Sequence, residues 1–435
     1  MLNRLLIRGA TILTMEGPDA IIDSGEILIE DGWITHVGLP GSASGSFDMD
    51  EIIEADGQVA MPGFVNCHTH ASMTLLRGYA DDLPLMQWLS EKIWPFEAKM
   101  TGEDIYWGAM LACLEMIKSG TTCFGDMYDF MHDVARAVEQ TGMRAMLSRG
   151  MIGVSPNADQ ALAAAEDLAR TWNGKADGRI TVMLGPHAPY TCPPDYLDKV
   201  MDLAAKLKLG INIHVAETLT EVADIKKQYG KTPVKHLDSL GLFKFPVLAA
   251  HCVHLDEEDM EILAQKAMGI AYNPQSNMKL ASGIAPVTKL IDLGATVGIG
   301  TDGTASNNNL DMLEELRVGS FLQKVATMNP EAIPAYRALQ MATIDGALCM
   351  GLGDRVGLIK EGMRADIILI DTREPHMCPQ HNLVANNAYS ANSSDVRTVI
   401  IDGKIIMLDR VVLTIDEERV MYEVRERAAR LRSDK

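Results

Sequence analysis

The chain has 435 residues, 47% of them hydrophobic, and a formal net charge of −20, which gives it material for a large core and length for more than one domain. An acidic surface repels phosphate backbones and anionic lipid, so nucleic-acid and membrane-surface partners are not expected; nor does any run of about 18 apolar residues span a bilayer. The seven cysteines are scattered without a Cys-x-x-Cys pair, and the first nine residues lack a signal-peptide apolar core, so a cytoplasmic protein with reduced thiols is expected.

The first sixty residues read as short strands and turns. Residues 5–13, 24–29 and 33–37 alternate and carry β-branched side chains. Asp31-Gly32 is a hairpin-type turn, and the Gly/Ser cluster 41–45 is a loop. The middle behaves differently. Eight apolar, β-rich runs recur at 63–67, 121–125, 144–147, 180–185, 211–213, 247–250, 269–272 and 296–300, separated by helical stretches such as 103–118 and 156–172. Such runs alternating with helices indicate a parallel sheet buried on both faces. Eight units of this length suit an α/β fold of the (β/α)₈ TIM-barrel type, with a doubly wound open sheet as the alternative. No Gly-rich dinucleotide fingerprint follows the first run. The strand texture returns at 365–370 and 396–401, with a turn at Asp402-Gly403, and the last stretch, 415–435, is charged and helical in pattern. The predicted division is therefore 1–60 and 356–435 as two parts of one small β domain, with 61–355 as the barrel.

Residues 61–70 read Met-Pro-Gly-Phe-Val-Asn-Cys-His-Thr-His. In an extended backbone, residues i and i+2 point the same way, so His68 and His70 can reach one metal ion from a single strand end. The pair alone is a weak signal. The other runs, however, end beside Asp126, Arg149, His187, His214, His251, Asn273 and Asp302, so that with His68 and His70 five of the eleven histidines fall at run ends. In a barrel these ends line one pocket. Histidines and a carboxylate without thiolate suit a catalytic divalent ion, which lowers the pKa of a bound water towards about 7. Glu217, just past the fifth run, reads either as a solvated helix-terminal acid or as a proton shuttle. The remaining histidines, such as His36, His132, His236, His254, His376 and His381, read as surface or structural.

At this point the chain resembles the amidohydrolase superfamily, and within it the 5′-methylthioadenosine/S-adenosylhomocysteine deaminases. The matching segments are Pro62-Gly-Phe-Val-Asn-Cys-His-Thr-His-Ala71, Leu75-Leu-Arg-Gly78 with Asp81-Asp-Leu83, and Trp94-Pro-Phe-Glu97. Further on come Gly185-Pro-His-Ala-Pro-Tyr190, His214-Val-Ala-Glu-Thr218, Ala250-His-Cys-Val-His254, Asn273-Pro-Gln-Ser-Asn277 and Gly300-Thr-Asp-Gly-Thr-Ala-Ser-Asn307. The resemblance implies that the β-rich ends form a small β-sandwich domain. It implies one divalent ion per chain, zinc ahead of iron or manganese, held by His68, His70, His214 and Asp302. Glu217 would move a proton to the ring nitrogen, His251 would orient the nucleophile, and Asp302 would help deprotonate it. His187 and Arg149 would touch substrate, and Glu97 would face the ribose hydroxyls. The implied activity is hydrolysis of a cyclic amidine C–N bond in a 5′-modified adenosine, releasing ammonia, by a homo-oligomer with a small-molecule nucleoside as its ligand. Some relatives carry a second arginine in the loop after the third strand; residues 151–158 contain none, which points to uncharged 5′ groups. Guanine or cytosine deamination and triazine-type amine or chloride hydrolysis are the alternatives within the superfamily. The cysteine-ligated deaminase signature is absent.

Overall fold

The computed structural model describes residues 3–42 and 50–433. Eight strands form one parallel sheet in sequential order: Phe64–Thr69, Thr121–Tyr128, Arg144–Met151, Ile180–Pro186, Ile211–Val215, Val247–His251, Gly269–Tyr272 and Val297–Ile299. The sheet curls until its ends approach. Thr301 N–H donates to Asn66 Oδ1 at 3.0 Å, and Asp302 N–H donates to the His68 carbonyl at 2.9 Å. This is the (β/α)₈ barrel that the eight apolar runs predict. Every residue of the first, second, fifth and sixth strands is buried, which is why these strands read as unbroken apolar runs rather than as alternation.

Several strands run further than their apolar runs, the second and third by most. The second continues to Tyr128 and the third to Met151, because the backbone ladder persists through Met127↔Ser148 and Tyr128↔Arg149 after the apolar pattern has stopped. Asp126 and Arg149 therefore sit within strands rather than just beyond them.

The chain ends build a separate nine-stranded mixed sheet. Gln58–Pro62 pairs antiparallel with Ile367–Asp371, which joins the N-terminal strands Arg4–Leu13, Ile21–Glu30 and Trp33–Gly38 to the C-terminal strands Val396–Ile401 and Lys404–Leu408. Leu5, Ile7, Ile27, Ile29, Ile367 and Leu369 belong to its own apolar core. Of the Gly/Ser loop expected at 41–45, residues 43–45 lie outside the described residues. The terminal helix Glu417–Arg432 packs on the barrel helix Gly102–Lys118 through Lys118–Glu417 at 2.8 Å and an Arg430–Asp104 pair.

At the N-terminal end of the third barrel strand, Arg144 is buried and pairs with Asp366 at 2.8 Å and Asp402 at 3.3 Å, both from the small domain. It clamps the barrel face opposite the pocket, where buried polar groups serve stability rather than chemistry. No described helix is long and apolar enough to cross a membrane. All seven cysteines are free.

Candidate active site

The C-terminal strand ends bring His68, His70, His187, His214, His251 and Asp302 together. Ring centroids lie 5.0 Å apart for His68 and His70, 4.8 Å for His68 and His214, and 5.5 Å for His68 and His251. Asp302 Oδ1 is 3.6 Å from His68 Nε2 and 3.3 Å from His70 Nε2. Ligand atoms of His68, His70 and His214 all fall within 4.8 Å of one another, and the same holds for His68, His251 and Asp302.

The surrounding hydrogen bonds aim these side chains. His70 Nδ1 lies 2.6 Å from the Met127 carbonyl, and His214 Nδ1 lies 2.6 Å from the His187 carbonyl. A carbonyl only accepts, so each Nδ1 carries the proton and each Nε2 keeps a lone pair for the cluster. Both ring nitrogens of His68 and Asp302 Oδ1 are buried with no hydrogen-bond partner. Orphaned buried polar atoms are costly, and a divalent cation is what this set of neutral imidazoles and one carboxylate fits. Burial, with the neighbouring imidazoles, holds His68 and His214 well below the usual histidine range, which is the neutral form that coordinates. Burial alone would raise Asp302. His70, His251 and His68, together with the Ser276 hydroxyl, outweigh it and hold the carboxyl below its ordinary value.

Local backbone shapes the cluster. His251 and Asp302 both adopt left-handed conformations, with φ of 72° and 61°. Such strain is costly for a non-glycine residue and gathers at functional sites. At Gly300, an added Cβ would lie 2.5 Å from Asn273 Oδ1 and 2.9 Å from the His68 side chain, so only glycine lets the eighth strand approach the first this closely.

Glu217 is buried, not solvated, with Oε2 3.9 Å from His251 Nε2. Burial raises its carboxyl, opposed mainly by the charge of His251. Burial alone would lower His251, but Glu217 and Asp302 raise it overall.

A pocket of about 300 Å³ opens from this cluster. Glu97, Arg149 and His187 line it with Glu217 and Asp302. Glu97 reaches it from the segment Trp94–Glu97, and Tyr128 donates its hydroxyl to Glu97 Oε1 at 2.5 Å. The apolar surroundings push Glu97 up to about 7, and the Tyr128 hydroxyl opposes the shift. His187 is pushed down to about 4 by burial and by the charges of His70 and His251; its Nδ1 meets Thr191 Oγ1 at 2.9 Å. The six remaining histidines are held elsewhere or exposed: His236 stacks on Tyr229, His376 pairs with Asp395, and His254 meets the Ser282 carbonyl.

The description of the matching family model is the amidohydrolase family, and it covers residues 59–406. A protein of Desulforamulus reducens named 5-methylthioadenosine/S-adenosylhomocysteine deaminase is 88% identical over 99% of both chains. A protein of the same name from Pelotomaculum thermopropionicum is 62% identical over 98% of both. Among solved structures, an adenosine deaminase from Xanthomonas campestris with bound zinc superposes with a TM-score of 0.94 at 34% identity, covering 98% of each chain. The chain belongs to the amidohydrolase family. That family is metal-dependent, in keeping with the His/Asp cluster.

Several supports of this amidohydrolase site are missed when apolar runs alone are read. Asp302 Oδ2 accepts from Ser276 Oγ at 2.6 Å and Ser306 Oγ at 2.8 Å. His251 Nδ1 meets Asn277 Oδ1 at 2.9 Å. Glu221 accepts the Ala216 and Glu217 backbone N–H groups, each at 2.8 Å, and so fixes the turn that carries Glu217. One of these had a local signal. Thr218 followed by Glu221 has capping-box spacing, and Thr218 Oγ1 does accept from Glu221 N–H. Ser276, Asn277 and Ser306 fall inside recognisable motifs, yet nothing local says which partner each would take.

Proposed function

We propose that this amidohydrolase deaminates 5′-modified adenosines such as 5′-methylthioadenosine and S-adenosylhomocysteine, giving the inosine derivative and ammonia. The observation that carries the reading is the placing of two acids in one pocket: Glu217 beside the His/Asp cluster, and Glu97 on the overlying segment. The first suits chemistry on an amino-purine. The second suits a ribose diol, which free bases and triazines lack. The substrate names of the 88% and 62% identical relatives agree with it.

One divalent ion per chain, zinc ahead of iron or manganese, would be held by His68, His70, His214 and Asp302. When bound, it supplies Lewis-acid chemistry that makes water nucleophilic near neutral pH. The protein does the rest. His251 orients the attacking water and Asp302 accepts its proton. Attack at the amine-bearing carbon makes a tetrahedral centre and Glu217 delivers a proton to the adjacent ring nitrogen; the proton held by Asp302 then passes to the amine, which leaves as ammonia while the new hydroxyl returns its proton to Glu217. Arg149 and His187 hold the substrate. We further read the chain as a cytoplasmic homo-oligomer without nucleic-acid or membrane partners, in keeping with its acidity and free thiols. The small domain would comprise 1–60 and 356–435 and the barrel 61–355, the first boundary falling within the strand Gln58–Pro62.

The deciding measurement is ammonia release from adenosine, 5′-methylthioadenosine, 5′-deoxyadenosine, S-adenosylhomocysteine, adenine, guanine and cytosine, side by side. The 5′-modified adenosines should lead, with kcat/KM far above that of free adenine. A lead for guanine or cytosine would overturn the reading.

Glu97 carries its own prediction. An ionised carboxylate accepts two hydrogen bonds from a cis diol, each contributing about 1.5–3 kcal/mol. Glu97→Ala should therefore cut nucleoside kcat/KM by orders of magnitude while metal content stays normal. Because Glu97 is raised to about 7, the accepting form is lost as pH falls through that value. KM for the ribonucleoside should thus rise from about pH 8 to about pH 6, and the rise should shrink for the 2′-deoxy analogue. Identical pH profiles for the two would count against the diol contact.

A further inference from the structure

The wall that carries Arg149 also carries an acid poised against it. Arg149, in the third strand, is in register with Tyr128 of the second, which places Asp129, the residue after Tyr128, alongside. Arg149 Nη2 lies 2.8 Å from Asp129 Oδ1. The same oxygen accepts the Phe130 backbone N–H at 2.8 Å, which holds the carboxylate in place. Arg149 Nη1 donates to the Gly150 carbonyl. Both terminal nitrogens of the guanidinium are therefore already engaged.

Among the described residues lining the pocket, Arg149 is the only arginine or lysine, whereas Glu97, Asp129, Glu217 and Asp302 are all acids. A ligand carboxylate pairs best with a guanidinium through two parallel N–H bonds. Here it would have to displace Asp129 or lie beside it against like charge. An uncharged tail meets no such conflict and finds Leu85, Trp88, Leu89 and Ile152 in the same lining.

We propose that Asp129 is a specificity-determining residue: by holding Arg149 it favours uncharged thioethers and makes nucleosides whose 5′ group ends in a carboxylate, S-adenosylhomocysteine among them, the poorer of the proposed substrates. This rests on the nucleoside reading given above. Asp129 touches Arg149 rather than the reacting atoms, so it acts by positioning.

The test compares three substrates: 5′-methylthioadenosine, an adenosine thioether with a terminal carboxylate and no amine, and S-adenosylhomocysteine. The metal-loaded wild type is measured beside Asp129→Asn, Arg149→Met and the double variant. Asparagine keeps an acceptor for the Phe130 N–H but gives up the charge. For Asp129→Asn, the kcat/KM ratio of the carboxylate thioether to the methylthio substrate should rise about ten- to hundredfold, mainly through KM. The double variant should lose that gain. An unchanged ratio overturns the proposal. So does a loss for S-adenosylhomocysteine without a gain for the amine-free tail, because Asp129 would then be binding the ammonium. If the wild type releases ammonia from none of the three, the nucleoside reading itself falls and this inference with it, a result distinct from an active enzyme with an unchanged ratio.

Discussion

Asp302→Ala and His68→Ala should each reduce turnover to background and leave the purified protein without its divalent ion. The two side chains contribute differently. Asp302 is the only carboxylate of the proposed ligand set, and it is kept ionised by His70, His251 and His68 and aligned by the Ser276 and Ser306 hydroxyls on Oδ2. His68 is fully buried, and neither of its ring nitrogens has another partner. The wild type should carry about one ion per chain, lose activity to a strong chelator, and regain it with zinc. Because an ion bound only by the folded state stabilises that state, chelation should also lower Tm. Metal content by elemental analysis, turnover and Tm on the same preparations check the set. A fully active, metal-free wild type would sink the metal reading, and a metal-loaded, active Asp302→Ala would remove that residue from it.

Glu217→Gln should lower kcat by about 10²–10⁴, the range typical of a positioned proton-transfer group. The substitution keeps the side chain's size and polarity but removes its transferable proton. Metal content should stay near normal, since Glu217 lies outside the proposed ligand set. The turn should survive as well, because it is fixed by Glu221 on the Ala216 and Glu217 backbone amides rather than by the Glu217 side chain. Glu221→Gln provides a useful contrast. It retains one acceptor for those amides, so it should disturb placement more than proton transfer, with a smaller loss in kcat. If Glu217→Gln turned over at the wild-type rate with normal metal, the shuttle role would go to another group.

Much of this molecule is written in local pattern. A parallel strand covered on both faces must be apolar along its whole length, and Phe64–Thr69, Ile211–Val215 and Val247–His251 accordingly stand out as apolar runs. In a barrel, the residue where such a run stops faces the pocket, so His68, His70, His214, His251 and Asp302 are visible as chemistry-bearing residue types at run ends. The joining of the two β-rich ends is legible in the same way, from texture returning after the barrel.

What local pattern cannot express is pairing between distant residues. Arg144 looks like any strand-leading arginine until Asp366, 222 positions later, is packed against it. Asp129 looks like a loop acid until strand register sets it against Arg149. Glu97 falls in a recognisable motif, but the shift of its carboxyl to about 7 depends on the apolar pocket around it, opposed by the Tyr128 hydroxyl, 31 positions away. Periodicity reports which side of an element is buried, because that depends on each residue's own solvation. Which hydroxyl bonds which carboxylate, which base stays neutral and which cation is already held depend on distances of about 3 Å between elements far apart in the chain, and those exist only once the barrel has curled and its loops have met over the pocket.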